Sequence, residues 1–249
     1  MPIPSENAPK GPESPVRTQA QPTSGSSSRT TRERIIESAE QLFAEQGFAG
    51  TSLRSIIADA GVNLAAVHYH FGSKDELILE VLQDKIRPVN EERARRLAAL
   101  ESSSDEPTLE GILACFIEPA LRVGRDAKES AVFKRLVSRL HLDAEPEIES
   151  RLMAMFFETA ARFVSALAKA APHLGREEVA WRMQLCIGSM LYTMLHGDRI
   201  EQVLNRVRAE ESPDRPGGGL DTDEAIGMLV SFLAGGFRAP ATTTMETGE

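Results

Sequence analysis

Between Thr51 and Lys74 the sequence TSLRSIIADAGVNLAAVHYHFGSK holds two short helical patterns separated by Gly61-Val62-Asn63. Leu53, Ile56, Ile57 and Ala60 recur at the spacing of one helix face. Thr51 or Ser52 supplies the N-cap, and Gly61 accepts the left-handed conformation that a tight turn demands. Asn63 caps a second helix that runs through His70. Two short helices joined by a three-residue turn form the layout of a helix-turn-helix, whose second helix can lie in the DNA major groove.

The rest of the chain is helical in pattern, and the fold class expected is all-α. In the span 31–46, Ile35, Ala39, Leu42 and Phe43 share a face, and Gly47 supplies a stop. Ser73 and Glu76 form a capping box that opens a fourth helix with Leu77, Ile78, Val81 and Leu82. Pro88 is expected to kink or end that helix near Arg87, before the charged run EERARR. Further stripes run over 109–121 (interrupted by Pro119), 132–140, 146–167, 176–195 and 221–237, the last capped by Asp221. The segment 212–219, SPDRPGGG, is a loop by composition.

Residues 1–28 hold six Pro and six Ser and few large apolar side chains, so they read as a disordered arm. The tail over 240–249 reads the same way. Between them lie a small domain over 29–75 and a larger helical bundle over 76–239. No run of about 18 apolar residues exists, so no membrane span is expected. The N-terminus has no apolar signal core, and a cytoplasmic location is expected. Cys115 and Cys186 sit alone in apolar helical patterns, as buried small hydrophobes do in a reducing compartment.

The net charge of −9 argues at first against a nucleic-acid partner. Net charge does not forbid a local basic surface, however. Over 29–74 five basic residues (Arg29, Arg32, Arg34, Arg54, Lys74) balance five acidic ones, so the negative excess lies mainly elsewhere. A neutral DNA reader makes few phosphate contacts per subunit and gains from dimerisation.

The segments AEQLFAEQGF (39–48), TSLRSIIADAGV (51–62) and VHYHFGSKDEL (67–77) together resemble the DNA-binding domain of TetR-type transcriptional regulators. The close resemblance covers about 50 residues, and the helical remainder is similar in length and architecture. It further resembles the fatty-acid-responsive subgroup. It departs from the common pattern at Ala65–Ala66, where Gly or Thr often stands, and this leaves the operator sequence unassigned.

The resemblance implies a homodimeric repressor that binds double-stranded operator DNA and is released by a small apolar effector, a fatty acid or acyl-CoA. Asn63, Leu64, Ala65 and Ala66 open the recognition helix and face base edges. Leu64 and Ala66 offer methyl contacts to thymine, and Asn63 either caps the helix or bonds a base. His68 reaches a base or a phosphate. Tyr69 and Lys74 match phosphate-holding positions, although Tyr69 also reads as a core aromatic. Arg54 matches a position that reaches guanine, or is a solvated surface charge. Ser52, at a helix N-terminus, suits a phosphate. Val62, Val67 and Phe71 read as core. Arg29 and Arg32 either enter a minor groove or merely begin a charged helix.

The effector pocket is expected among Phe116, Phe133, Met153, Phe156, Phe157, Met183 and Met190, with Arg135 and Arg139 pairing a ligand carboxylate. The plainer reading makes these residues bundle core and a solvated face. Gly188, Ser189, Gly235 and Gly236 allow close helix approach, and with the resemblance suggest a dimer interface over about 176–195 and 221–237. No catalytic motif is present, so an enzyme is not expected, and no cofactor is implied. His68 and His70 fall on different helix faces, which argues against a metal. A helical lipid or small-molecule carrier without DNA binding is the alternative.

Overall fold

The computed structural model describes residues 30–103, 105–124, 127–143, 145–211, 219 and 221–241. The arm over 1–28, Arg29, nearly all of the 212–219 loop and the tail from 242 onward lie outside the described residues. The described residues form ten helices and no strand: α1 (Thr31–Gly50), α2 (Leu53–Ala60), α3 (Leu64–Phe71), α4 (Lys74–Glu101) and α5 (Leu109–Leu121), then α6 (Ala127–Asp143), α7 (Pro146–Ala170), α8 (Arg176–Leu195), α9 (Gly197–Glu211) and α10 (Thr222–Arg238). None of these is long and apolar enough to cross a membrane.

Two hydrophobic clusters organise them. The first joins Ile35, Ala39 and Phe43 of α1, Ile56 of α2 and Val67 and Phe71 of α3 to Leu77, Val81 and Leu82 of α4. Val132, Leu136 and Leu140 of α6 and Leu152 of α7 belong to the same cluster. The second gathers Leu113 and Phe116 of α5, Phe163 of α7, Met183, Cys186 and Met190 of α8 and Leu233 and Phe237 of α10. α4 serves both: Ile86 closes its contribution to the first cluster, while Val89 and Leu97 enter the second.

Local caps set the small helices as expected. Ser52, not Thr51, is the N-cap of α2, and Gly61 adopts φ 61° and donates its N–H to the Ile57 carbonyl. Thr51 is fully buried, with Oγ1 2.8 Å from the Gly47 carbonyl oxygen. Asn63 Oδ1 accepts the Ala66 N–H at 2.8 Å and starts α3. Gly47 takes φ 77°, but helical turns resume and carry α1 to Gly50.

Four expectations meet a different outcome in the structure. α4 passes straight through Pro88 to Glu101, although an interior proline costs about 3 kcal/mol. Ile86, Val89 and Leu97 are all buried on either side of it, and burying each such side chain contributes roughly 1.5–3 kcal/mol. α5 likewise continues past Pro119. Only half of the Ser73–Glu76 capping box forms. Ser73 Oγ accepts the Glu76 N–H at 3.1 Å, but the Glu76 carboxylate is drawn away to Arg151 of α7 at 2.6 and 3.0 Å. Asp221 stands at the N-cap of α10 without a side-chain cap bond. α9 is an addition to the helices expected from the sequence: its Ile200, Val203, Leu204 and Val207 keep helical spacing within a polar segment.

The Arg151 guanidinium, by hydrogen bonding, holds the Glu76 carboxyl below its ordinary 4.5. A lowered carboxyl pKa stabilises the fold above the unfolded value and loses that contribution as pH falls. Arg151→Met is therefore expected to lower the melting temperature at pH 7, with the difference from wild type closing as pH falls below 4.5; differential scanning calorimetry at several pH values checks this.

Candidate functional site

α3 presents two distinct sides. Val67 and Phe71, four residues apart, are buried and hold the helix against α1 and α4. Leu64, Ala65, His68 and Tyr69 are exposed, and at 100° per residue they span an arc of about 140°. Asn63 is exposed at the head of the helix, and Ala66 is half-buried at the edge of the core. Val62 is half-buried against the same cluster. Tyr69 is 85% exposed, so it is not the core aromatic that the alternative reading made it. Its ring packs edge-on against His70, with centroids 5.1 Å apart.

His68 has a defined tautomer. Its Nδ1 lies 2.8 Å from the Gly72 carbonyl oxygen, which can only accept, so Nδ1 carries the proton. The ring is thereby fixed across the C-terminus of α3, leaving Nε2 directed elsewhere.

The charges sort in the same way. Arg34 donates to the Ala60 and Gly61 carbonyl oxygens and closes the end of α2. Arg32 pairs with Glu80 and lies over the Phe71 ring, its guanidinium carbon 5.8 Å from the centroid. Both are thus engaged within the fold. Arg54 and Lys74 form no ion pair or side-chain hydrogen bond among the described residues. Arg54 is exposed on α2, Lys74 half-buried at the start of α4, and Ser52 exposed at the N-terminus of α2. Exposed polar and apolar contact groups therefore flank two cations with no intramolecular partner, which suits phosphate and base-edge contact.

The nine residues expected to line an effector pocket do not converge. Phe116, Phe133, Met183 and Met190 are buried in the second cluster, with Phe116 edge-on to Phe163 at 5.1 Å. Phe156 is half-buried against the first cluster. Met153 and Phe157 are exposed on α7. Arg135 is exposed, and Arg139 donates to the Glu45 carbonyl oxygen at 3.3 Å, linking α6 to α1. These residues follow apolar helical spacing, which marks core faces as readily as cavity walls.

The space lies elsewhere. A groove of 420 Å³ runs between α4 and α7, lined by Ile86, Asn90, Leu97, Met155, Thr159 and Phe163 among others. A shallower depression beside it includes Phe157, one of the expected residues. Gln83, Asn90 and Arg93 were passed over in the sequence because they sit in or next to a charged stretch. Asn90 and Arg93 stand at 3–4-residue spacing with Ile86 and Leu97, the signal of an inward face, whereas Gln83 is exposed at the groove's edge.

A second exposed surface lies on α8 and α10. Trp181, Leu185, Gly188 and Tyr192 follow one stripe of α8, while Met228, Phe232 and Gly235 follow one of α10. Trp181 and Phe232 are 66% and 73% exposed, and open space surrounds Gly188, Gly235 and Gly236.

Comparison with known proteins accounts for both halves. Residues 35–81 match the model for bacterial regulatory proteins of the tetR family, and residues 114–236 match the tetracyclin repressor-like C-terminal domain. The chain belongs to the TetR family of transcriptional regulators, which are not enzymes. It is similar to the transcriptional regulator TtgR of Pseudomonas putida, 33% identical over 115 residues, or 46% of this chain and 51% of that one. It is also similar to the transcriptional repressor BepR of Brucella suis, 29% identical over 179 residues, covering 68% and 82% of the two chains. The match thus spans about half the length of the Pseudomonas relatives. The fold resembles that of the fatty acid degradation regulator FadR of Bacillus halodurans, with a TM-score of 0.58 at 15% identity, covering 86% of this chain and 99% of that one.

Tyr69→Ala removes a side chain that supports no core, so its unfolding free energy should stay within about 0.5 kcal/mol of wild type. Phe71→Ala should cost roughly 3–5 kcal/mol. Chemical denaturation of the two variants checks the contrast.

Proposed function

We propose that the chain is a homodimeric, ligand-responsive transcriptional repressor. α3 would dock in the major groove through Asn63, Leu64, Ala65 and Ala66, with Arg54 reaching guanine and Ser52, His68, Tyr69 and Lys74 on the backbone. The observation that carries this reading is the two-sided α3, locked by Val67 and Phe71 and open along Leu64, Ala65, His68 and Tyr69. The repressor named among the relatives supports the direction of regulation.

Dimerisation through α8 and α10 gives the exposed Trp181, Leu185, Tyr192, Met228 and Phe232 a place to be buried. It also supplies the second recognition helix that a nearly neutral domain needs for affinity. A small apolar effector, a fatty acid or acyl-CoA, would bind in the helical bundle. The α4–α7 groove and the fold shared with a fatty acid degradation regulator support that reading. An effector seated there would shift α4, which carries Leu77, Val81 and Leu82 into the cluster beneath α3. A dimer favoured in the wrong spacing binds its operator less well.

Gel-shift titration against the DNA upstream of the chain's own gene tests the proposal. Tyr69→Ala and Lys74→Ala should weaken binding across operator sequences, and Lys74→Ala should reduce the salt slope by about one. Unchanged affinity in both variants would contradict the docking. Phe232→Glu should yield a monomer in analytical ultracentrifugation and bind the operator weakly; a dimer that persists in this variant would place the interface elsewhere.

A further inference from the structure

Arg93 sits at a core position of α4, only 4% exposed, wedged among α4, α5 and α8. Its Nε donates to the Phe116 carbonyl oxygen at 2.8 Å, Nη1 to Asn90 Oδ1 at 3.2 Å, and Nη2 to the Met190 sulfur at 3.4 Å. The guanidinium carbon lies 3.9 Å from the centroid of the Phe116 ring. No carboxylate pairs with it among the described residues. This is unusual, because a buried charge is ordinarily paired.

The cation is real at neutral pH. Burial lowers the Arg93 pKa only to about 10, so the group stays protonated. The nearby Cys186 cannot neutralise it, since burial pushes that thiol up to about 12 and keeps it uncharged. Three of the five guanidinium N–H groups are used, one of them on a thioether, which is a weak acceptor. One N–H on each of Nη1 and Nη2 is left without an acceptor among the described residues. Two further N–H donors on one positive charge suit the two oxygens of a carboxylate.

The approach to Arg93 is also defined. Asn90 holds Nη1 and at the same time lines the groove between α4 and α7. Phe163 lines that groove too and packs edge-on against Phe116, whose ring lies under the guanidinium. Asn90 and Phe163 therefore belong both to the groove's lining and to the surroundings of the charge, while Arg93 itself lies behind that lining. Ile86, Leu97 and Met155 give the groove apolar lining beside the charged Arg87, Glu91, Glu158 and Arg162, and its 420 Å³ falls within the range of small-molecule sites. Met190, unbranched and adaptable, is the acceptor most easily displaced.

We propose that Arg93 is the anion receptor of the effector site, taking the carboxylate of an amphipathic monoacid whose apolar chain lies in the α4–α7 groove. A single uncompensated charge in an apolar core selects a monoanion over a phosphate dianion. The head group would take the two remaining N–H groups, displacing Met190 and shifting Asn90. This rests on the effector-responsive reading above and makes its ligand specific.

The test is isothermal titration of the full chain, without DNA, with decanoate and with decanol at pH 7.5. Wild type should bind decanoate about tenfold or more tightly, the gain expected of a charge-assisted bidentate contact. Arg93→Met should still bind decanol and lose the preference, with a melting temperature equal to wild type or higher, because a buried unpaired charge has been removed. Equal affinities in wild type would overturn the proposal without touching the effector reading. Binding of neither compound would overturn the effector reading itself. A lowered melting temperature in Arg93→Met with the decanoate preference intact, or with both ligands lost, would assign Arg93 to the framework and overturn its role as receptor.

Discussion

The division of α4 between two hydrophobic clusters is the constraint on which the rest of the molecule depends. Its first half buries Leu77, Ile78, Val81 and Leu82 beneath the helix-turn-helix, and its second half buries Val89 and Leu97 in the bundle. No flexible linker separates the two bodies, so a displacement of one end of α4 is felt at the other. Close-packed cores transmit such strain because they lack the space to absorb it. Pro88 lies between Ile86 and Val89, where one cluster gives way to the other.

Three further links reinforce this strut. α6 lays Val132, Leu136 and Leu140 into the cluster that also holds α1, and Arg139 reaches the Glu45 carbonyl oxygen beside it. Arg151 of α7 grips Glu76 in the first turn of α4, two residues from Lys74. Lys85 of α4 pairs with Glu40 of α1 at 2.7 Å. The groove proposed for the effector lies between α4 and α7, the two helices joined by the Arg151–Glu76 contact.

The local parts of this arrangement were legible in the sequence. Ser52, Gly61 and Asn63 act on atoms within three or four residues, so their identity and spacing are enough to place α2, the turn and α3. The apolar stripes of α5, α7, α8 and α10 were equally plain. What escaped was settled at a distance. Pro88 reads as a break until the burial around it is known, and Glu76 reads as a cap until Arg151 is brought beside it. The polar composition of α9 masked its spacing. Candidate pocket residues were chosen for size and softness, properties that core and cavity walls share, whereas Arg93 was hidden in the run EERARR although its position relative to Ile86 and Leu97 points inward.

In the proposed repressor, α4 would couple the α4–α7 groove to α3 of each subunit. Double electron–electron resonance between spin labels at His70→Cys in the two subunits of the proposed dimer provides the test, with Cys115 and Cys186 replaced by Ser and Ala. His70 is exposed on α3 and reports its position without filling the core. A saturating carboxylate amphiphile should move the label-to-label distance away from the value measured with operator DNA. An unchanged distance distribution, with ligand binding demonstrated in the same sample, would contradict the coupling.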